Sequence, residues 1–316
     1  MSLEHWEAYY RGGALATCPT SPEGGYDLEL REVWRDFFAP LPAQARLLDI
    51  GTGNGAVALI AAETAAALGR RWEIHATDLA QIDPPRHVPG GAERFSGITF
   101  HPGVATEQLP FPEAHFDAVS GQYALEYSDT ARALAELARV LKPGARAQFV
   151  LHHAESRLVL TGKVSQREAE LVFNELRVYR RLRKLLAGER MSADAAQRAG
   201  VEVQSAIRAL KLALPQAQQS GGGRMLAVTL DAVRKLMEMR AEARPELVGL
   251  EIDRAENELR AGVRRLNDLV VHACSNERMT ELEGQAATAG FEVLERVPQY
   301  HAGANLVGWR LVLRRA

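Results

Sequence analysis

The stretch Leu48-Asp49-Ile50-Gly51-Thr52-Gly53-Asn54-Gly55 constrains this chain more than any other. A short apolar run carrying an acid leads into three glycines at alternate positions, and an Ala-rich helix is predicted from about Asn54 to Leu68. Glycines let the backbone turn sharply there and approach a ligand with no Cβ in the way. The helix offers unpaired N–H groups at its start, which favour a carboxylate or phosphate. A dinucleotide fingerprint reads G-x-G-x-x-G. Here the third glycine arrives one residue early, and the acid repels a pyrophosphate but suits the ammonium of an amino acid.

Around this turn the pattern alternates. Residues 1–28 read as an irregular N-terminal cap segment. Leu30, Val33, Trp34, Phe37 and Phe38 fall at helical spacing within 29–39, and Pro40 and Pro42 end that helix. Strands are predicted over Arg46–Ile50, Trp72–Thr77, Phe116–Gly121 and Ala145–His152, with a helix over Thr130–Leu141. The Pro- and Gly-rich stretch 81–103 reads as loop with one short strand near Ile98–Phe100. Strands alternating with helices predict a parallel sheet covered on both faces. From about 154 to 273 only helical periodicity remains, broken at Gly188, Pro215, the Ser220–Gly223 run and Pro245. One stripe, Val248, Ile252, Ala255, Leu259, Val263, Leu266 and Val270, runs along a long amphipathic helix whose other side is charged. A helix over Met279–Ala289 and strands over Phe291–Val297 and Leu306–Leu313 then resume the α/β pattern. The domains are therefore 29–153 as a cofactor-binding core, 154–273 as a helical insertion, and 274–316 completing the core.

The segment DIGTGNG resembles the first motif of the class I S-adenosylmethionine-dependent methyltransferases. Other pieces follow in that family's order: Asp78 ending the second strand in ATDLA, LPFPEAHFDAVSGQYALEYSD (109–129), LARVLKPGARAQFV (137–150), and AGFEVLERV and GWRLVLRR as a closing antiparallel pair. The resemblance covers roughly 29–153 and 275–316. It implies a doubly wound, mostly parallel seven-stranded sheet of Rossmann-like type, with the all-helical insertion after the fifth strand. It implies S-adenosyl-L-methionine as cofactor and methyl transfer to a bulky or hydrophobic small molecule, at oxygen or nitrogen.

By the same resemblance Asp49, Gly51, Thr52, Gly53, Asn54 and Gly55 hold the cofactor's amino acid end, with Asp49 acting directly or through water. Asp78 takes the ribose hydroxyls and Leu79 the adenine face. The acid that often contacts the adenine amine is missing: Val104 stands there, so backbone at Val104 and Ala105, or the side chains of Thr106 or Glu107, replace it. Gln122, Tyr123 and Glu126 follow the fourth strand, where the family places groups around the reacting methyl. Trp6, Tyr9, Tyr10 and Arg11 resemble the segment that folds over the cofactor. His152 and His153 end the fifth strand at the carboxyl edge, and with Tyr123 they are the catalytic candidates. One histidine faces each side of the sheet, and one of them removes the acceptor's proton. Against this stand plainer readings: a capping acid, a core tyrosine, a strand-end histidine, a terminal helix packed on the core.

Composition narrows the partners. A formal charge of -2 over 316 residues draws the chain neither to nucleic acid nor to anionic membrane. The basic run Arg177–Lys184 reads as a solvated helix face. The most apolar segment, Ala56–Leu68, is too short to span a bilayer and contains Glu63. Cys18 and Cys274 read as reduced thiols of a cytoplasmic protein. The remaining histidines show no metal-ligand spacing, and no metal is expected. Two rival functions are a nucleic-acid methyltransferase and a cofactor-binding protein that does not methylate. Against the first, Gly121-Gln122-Tyr123-Ala124 occupies the place of an Asn/Asp-Pro-Pro-aromatic element. The striped helix offers a route to a homodimer.

Overall fold

A computed structural model describes residues 3–316 except 23, 187–190 and 241. The chain divides into two units, Met1–Arg157 with His272–Ala316, and Leu158–Val271. The elements run α1 (Glu4–Arg11), α2 (Leu28–Phe38), β1 (Arg46–Ile50), α3 (Ala56–Ala67), β2 (Glu73–Asp78), α4 (Pro84–His87), α5 (Gly91–Arg94), β3 (Ile98–Pro102), β4 (Phe116–Gln122), α6 (Thr130–Val140) and β5 (Leu141–Leu151). Then come α7 (Arg157–Glu170), α8 (Val178–Leu186), α9 (Ala193–Gln219), α10 (Arg224–Met239) and α11 (Pro245–His272). The first unit closes with α12 (Asn276–Thr288), β6 (Phe291–His301) and β7 (Asn305–Arg315).

The first unit holds one seven-stranded sheet in the order β3-β2-β1-β4-β5-β7-β6. The first five strands are parallel, and β7 runs antiparallel to both β5 and β6. The central strands are apolar on both faces, as a doubly covered sheet requires: Leu47, Leu48 and Ile50 on β1, Ala118 and Val119 on β4, Ala147, Phe149, Val150 and Leu151 on β5 are all buried. α3 is buried over most of its length, and its small side chains allow close approach to the sheet. On α6 the buried residues Ala133, Leu134, Leu137 and Val140 form one stripe, and the Asp129 side chain caps its start by accepting from the Arg132 N–H at 3.2 Å. Parallel order places the carboxyl ends of β1, β2, β4 and β5 along one edge, and the reversal between β1 and β4 marks a topological switch point there.

The second unit is helical and has its own core. Val172, Tyr179, Leu182, Val203, Leu210, Leu226, Val248 and Ile252 are among its buried members. The α11 stripe is engaged within this unit: Ala255 and Leu259 pack on that core, and Leu266, Leu269 and Val270 face Gly162 of α7. Glu168, buried on α7, accepts the Gly223 N–H at 2.5 Å and the Met225 N–H at 3.1 Å, and so caps α10. The basic run lines a cavity of about 330 Å³ with Phe173, Tyr179, Glu256 and Arg260, where Asp253 and Glu256 pair with Arg183.

Four readings of the sequence are corrected. Residues 1–28 are not irregular throughout, because α1 forms over Glu4–Arg11. Its apolar and aromatic contacts with the sheet unit supply what a short exposed helix lacks. The loop 81–103 contains α4 and α5, each a single turn; Pro84 suits the first position of α4. Pro215 does not break a helix: α9 runs on to Gln219, since a proline in the last turns removes little of the hydrogen-bond ladder. β5 begins at Leu141 rather than Ala145, because Leu141 is pinned in the core opposite Phe116 and a register shift follows. The break at Gly188 lies outside the described residues.

Candidate functional site

The turn after β1 is built by positive φ angles of 54° at Gly51 and 54° at Gly53. A Cβ on Gly51 would lie 2.4 Å from the Ala124 Cβ, and one on Gly53 would lie 2.8 Å from the Tyr10 ring. The turn thus abuts the end of β4 on one side and α1 on the other. Asn54 fixes that second contact, donating through Nδ2 to the carbonyls of Tyr10 at 2.9 Å and Ala14 at 2.7 Å. Trp6 stacks on Tyr10 and meets Tyr127 edge-on. Arg11, by contrast, is not brought to the turn: it is exposed on α1 and pairs with Glu7 at 3.8 Å.

Two buried carboxylates flank the turn. Asp49 accepts from the Ser120 hydroxyl at 2.7 Å and from the Thr52 hydroxyl at 2.6 Å. Asp78 accepts from the Gly53 N–H and the Ala80 N–H, each at 2.8 Å. Burial pushes each carboxyl up to about 6, despite hydrogen bonds that favour the anion. Beside them Leu79 is 52% exposed. Val104 and Ala105 are half-buried; the Val104 N–H donates to the Asp78 carbonyl at 2.9 Å, and the Ala105 carbonyl accepts from the Gln108 N–H at 3.1 Å. Glu107 is engaged elsewhere, accepting the Asp129 N–H at 2.8 Å.

The other wall comes from the ends of β4 and β5. Gln122 accepts from the Trp34 indole at 2.5 Å through Oε1, and its Nε2 is buried without a partner. Tyr123 sits at φ 55°, a costly conformation for a tyrosine, held by its N–H on the Val150 carbonyl at 2.7 Å. Its hydroxyl donates to the Val307 carbonyl at 3.1 Å, which engages its proton within the protein. That ring stacks on His152 at 3.9 Å between centroids. His153 turns to the opposite face, stacks on Trp309 at 4.4 Å and accepts the Glu155 N–H at 3.0 Å.

Burial changes what the histidines can do. It holds His153 below its ordinary range and drives His152 down to about 3. Desolvation thus disfavours the imidazolium form, most of all at His152. Beside His152, Glu126 is 3% exposed; its Oε1 accepts the His152 N–H at 2.7 Å, and its Oε2 has no partner. Ser120, Tyr26 and Cys18 also belong to this region and carry no local motif. Ser120 reaches Asp49 only because the two are register partners across β1 and β4.

Away from this edge the sheet gathers Glu73, His75 and His115, whose potential ligand atoms lie within 4.8 Å of one another. Sequence spacing gave no hint of it, since Glu73 and His75 lie on β2 and His115 lies in the distant loop before β4. His75 bonds to Glu73 and to His101, each at 2.9 Å, and Arg46 pairs with Glu73 at 3.1 Å, so these groups satisfy one another.

The donor set at the carboxyl edge fits the polar groups of S-adenosylmethionine. Thr77 Oγ1, Asn54 Oδ1, Gln122 Nε2, Glu126 Oε2 and His152 Nδ1 are buried polar atoms without partners, all near the carboxyl edge of the sheet. Buried polar atoms are ordinarily bonded, so such a concentration marks a place where a ligand completes them. Of the two buried carboxylates, Asp49 complements an ammonium and Asp78 a pair of hydroxyls.

The strand order, the antiparallel closing hairpin and the acid-flanked glycine turn define a Rossmann-like methyltransferase fold. Residues 48–149 match the family model described as a methyltransferase domain. Residues 48–149 thus form a methyltransferase domain of the class I S-adenosylmethionine-dependent type. The chain is 32% identical over 125 residues to the uncharacterized methyltransferase YcgJ of Bacillus subtilis, covering 37% of this chain and 45% of that protein. It is 33% identical over 122 residues to the ubiquinone/menaquinone biosynthesis C-methyltransferase UbiE of Bordetella avium, covering 37% and 46%. The chain thus spans about half the length of the curated relatives it matches. Among solved structures, a SAM-dependent methyltransferase from Aquifex aeolicus aligns over 91% of this chain and 90% of its own at 13% identity, with a TM-score of 0.42. No helix among the described residues is long and apolar enough to cross a membrane.

Proposed function

We propose that this protein is an S-adenosylmethionine-dependent methyltransferase acting on a small, largely apolar acceptor. The observation that carries the reading is the pair Asp49 and Asp78, buried on either side of a glycine turn too crowded for any side chain. When bound, the cofactor supplies a methyl group already activated on a sulfonium. The protein's task is then to align, to exclude water and to move one proton. Asp49 receives the ammonium, directly or through water, and Asp78 the ribose hydroxyls. Gln122 offers its free amide donor, Leu79 its exposed apolar face, and α1 a cover over Gly53. The rings of Tyr26, Tyr123 and His152 favour a flat or apolar acceptor. The relative UbiE is named a C-methyltransferase, so carbon joins oxygen and nitrogen as accepting atom. Calorimetry tests the reading: S-adenosylmethionine and S-adenosylhomocysteine are both expected to bind without added metal. Binding of a nicotinamide dinucleotide in their place overturns it.

The helical segment 154–273 is proposed to serve acceptor recognition and self-association. It is spliced in after β5 and the His152 that follows it, and Val201, Leu212 and Leu250 are exposed apolar residues on it. Replacing 158–271 by a short Gly/Ser linker is expected to yield a monomer by light scattering, from a dimeric full chain. Cofactor affinity should persist while turnover is lost. A monomeric full chain, or a shortened one with full turnover, removes the respective claim.

A further inference from the structure

The acceptor side of the site contains a carboxylate that the structure holds half-used. Glu126 lies in the 3₁₀ turn Leu125–Tyr127 directly after β4. Its Oε1 is fixed by the His152 N–H at 2.7 Å, which orients the group, and its Oε2 is buried with nothing to bond to. His152 Nδ1 is buried and equally without a partner. Two such atoms on adjacent residues, next to a flat Tyr123–His152 stack, form a place that a polar group of a ligand completes. The place adjoins the cofactor turn, because Gly51 touches Ala124, two residues before Glu126.

We infer that Glu126 is the proton acceptor of the methyl transfer, and that the acceptor substrate is a neutral molecule presenting a proton-bearing hydroxyl or amine to Glu126 Oε2 and His152 Nδ1. The inference rests on the methyltransferase reading above. In the step, a lone pair of the acceptor's oxygen or nitrogen forms the new bond to the methyl carbon. The sulfur–methyl bond breaks with its electron pair going to sulfur, and the acceptor's proton passes to Glu126 Oε2. Charge balances, since a sulfonium and a carboxylate become a thioether and a carboxylic acid.

The surroundings fit that task. Among the described residues, the titratable groups around Glu126 include Cys18 on the N-terminal segment, Tyr123 after β4, His152 after β5 and Cys274 before α12, with Tyr127 and the His272 stacked on it beyond His152. Burial keeps the first four neutral at physiological pH: it pushes the Cys18 thiol up to about 11 and the Cys274 thiol up to about 12, raises Tyr123, and holds His152 at about 3. None of those four is a cation that would hold the carboxylate ionised. Burial pushes Glu126 itself up to about 7, the range in which a base both ionises and accepts a proton well. One environment therefore weakens the imidazole as a base and strengthens the carboxylate, because desolvation opposes the charged form of each.

The test uses Glu126→Gln, whose amide oxygen still accepts the His152 N–H, and Glu126→Asp as the conservative variant. S-adenosylmethionine affinity is measured by calorimetry. Turnover is read as S-adenosylhomocysteine formed with a panel of apolar phenols, alcohols and amines. Infrared titration follows the buried carboxyl with no acceptor needed. Wild type is expected to show a buried carboxyl losing its proton at about 7, above the Asp49 and Asp78 transitions at about 6, and only this one should be absent in Glu126→Gln. Turnover should rise with pH through the same range. Glu126→Gln should keep cofactor affinity within about threefold and lose about a hundredfold or more in turnover, with the pH dependence gone. Glu126→Asp should restore part of the rate and the titration. A Glu126→Gln variant with near-normal rate and pH profile overturns the proposal. So does a wild type without a near-neutral buried carboxyl, which also decides the matter if no panel compound is methylated. Failure of wild type to bind S-adenosylmethionine is a separate outcome, and overturns the methyltransferase reading and this inference with it.

Discussion

Gly53→Val is expected to remove S-adenosylmethionine binding, with affinity falling at least about a hundredfold, the range reached when a ligand's place is physically filled. Two effects combine. Gly53 has φ 54°, where a β-branched residue is strained by roughly 1–3 kcal/mol. The new Cβ would lie 2.8 Å from the Tyr10 ring, so Tyr10 and the α1 segment anchored through Asn54 must move. Gly69→Val separates the two effects. Gly69 has φ 63° with nothing within 4 Å of the added Cβ, so that variant carries backbone strain alone. Calorimetric titration should show Gly69→Val binding like wild type, with a lowered melting temperature. If Gly53→Val keeps wild-type affinity, the cofactor does not pass the turn after β1.

The second large effect is a pH dependence of cofactor binding. Burial pushes the Asp49 and Asp78 carboxyls up to about 6 in the folded chain, well above the ordinary aspartate range. Below the unfolded value both are protonated in either state, and their contribution to stability is fully present. As pH rises through about 6 the folded chain must carry two buried anions, and that contribution is lost, on the order of 3 kcal/mol for each. Glu126 behaves alike up to about 7. His152 has the opposite sign: its folded value of about 3 lies below 6.5, so its contribution is lost as pH falls through that window. The ligand-free protein therefore has opposed slopes over the acid range. A cationic ligand favours the ionised carboxylates, so its affinity should climb from pH 5 to pH 7 by up to about tenfold per unit for each carboxylate that it ionises, with protons released on binding. The rise in melting temperature given by saturating S-adenosylmethionine should be small at pH 5 and large at pH 8. Asp78→Asn should flatten that trend and weaken binding at pH 8 by roughly 1–3 kcal/mol, the scale of lost charge-assisted hydrogen bonds. A thermal shift independent of pH in wild type would place the cofactor's charges away from both carboxylates.

The residues alone determined the parts of this protein that depend on contiguous sequence. β1, its glycine turn and α3 were legible because an apolar run, three alternate glycines and an Ala-rich helix are a local signal, and that signal also located Asp49. The acid ending β2, the helical insertion and the closing hairpin with Gly303 at its turn were legible for the same reason. Tertiary structure decided the rest, because burial and hydrogen-bond partners come from residues far apart in the chain. The register of β4 on β1 puts Ser120 against Asp49. The distant Val307 carbonyl engages the Tyr123 hydroxyl and leaves only the ring for the site. Packing folds α1 over Gly53 yet leaves Arg11 at the surface. Burial reverses the order of basicity of His152 and Glu126: in water the imidazole is the stronger base of the two, whereas in this interior desolvation weakens the cation-forming base and strengthens the anion-forming one.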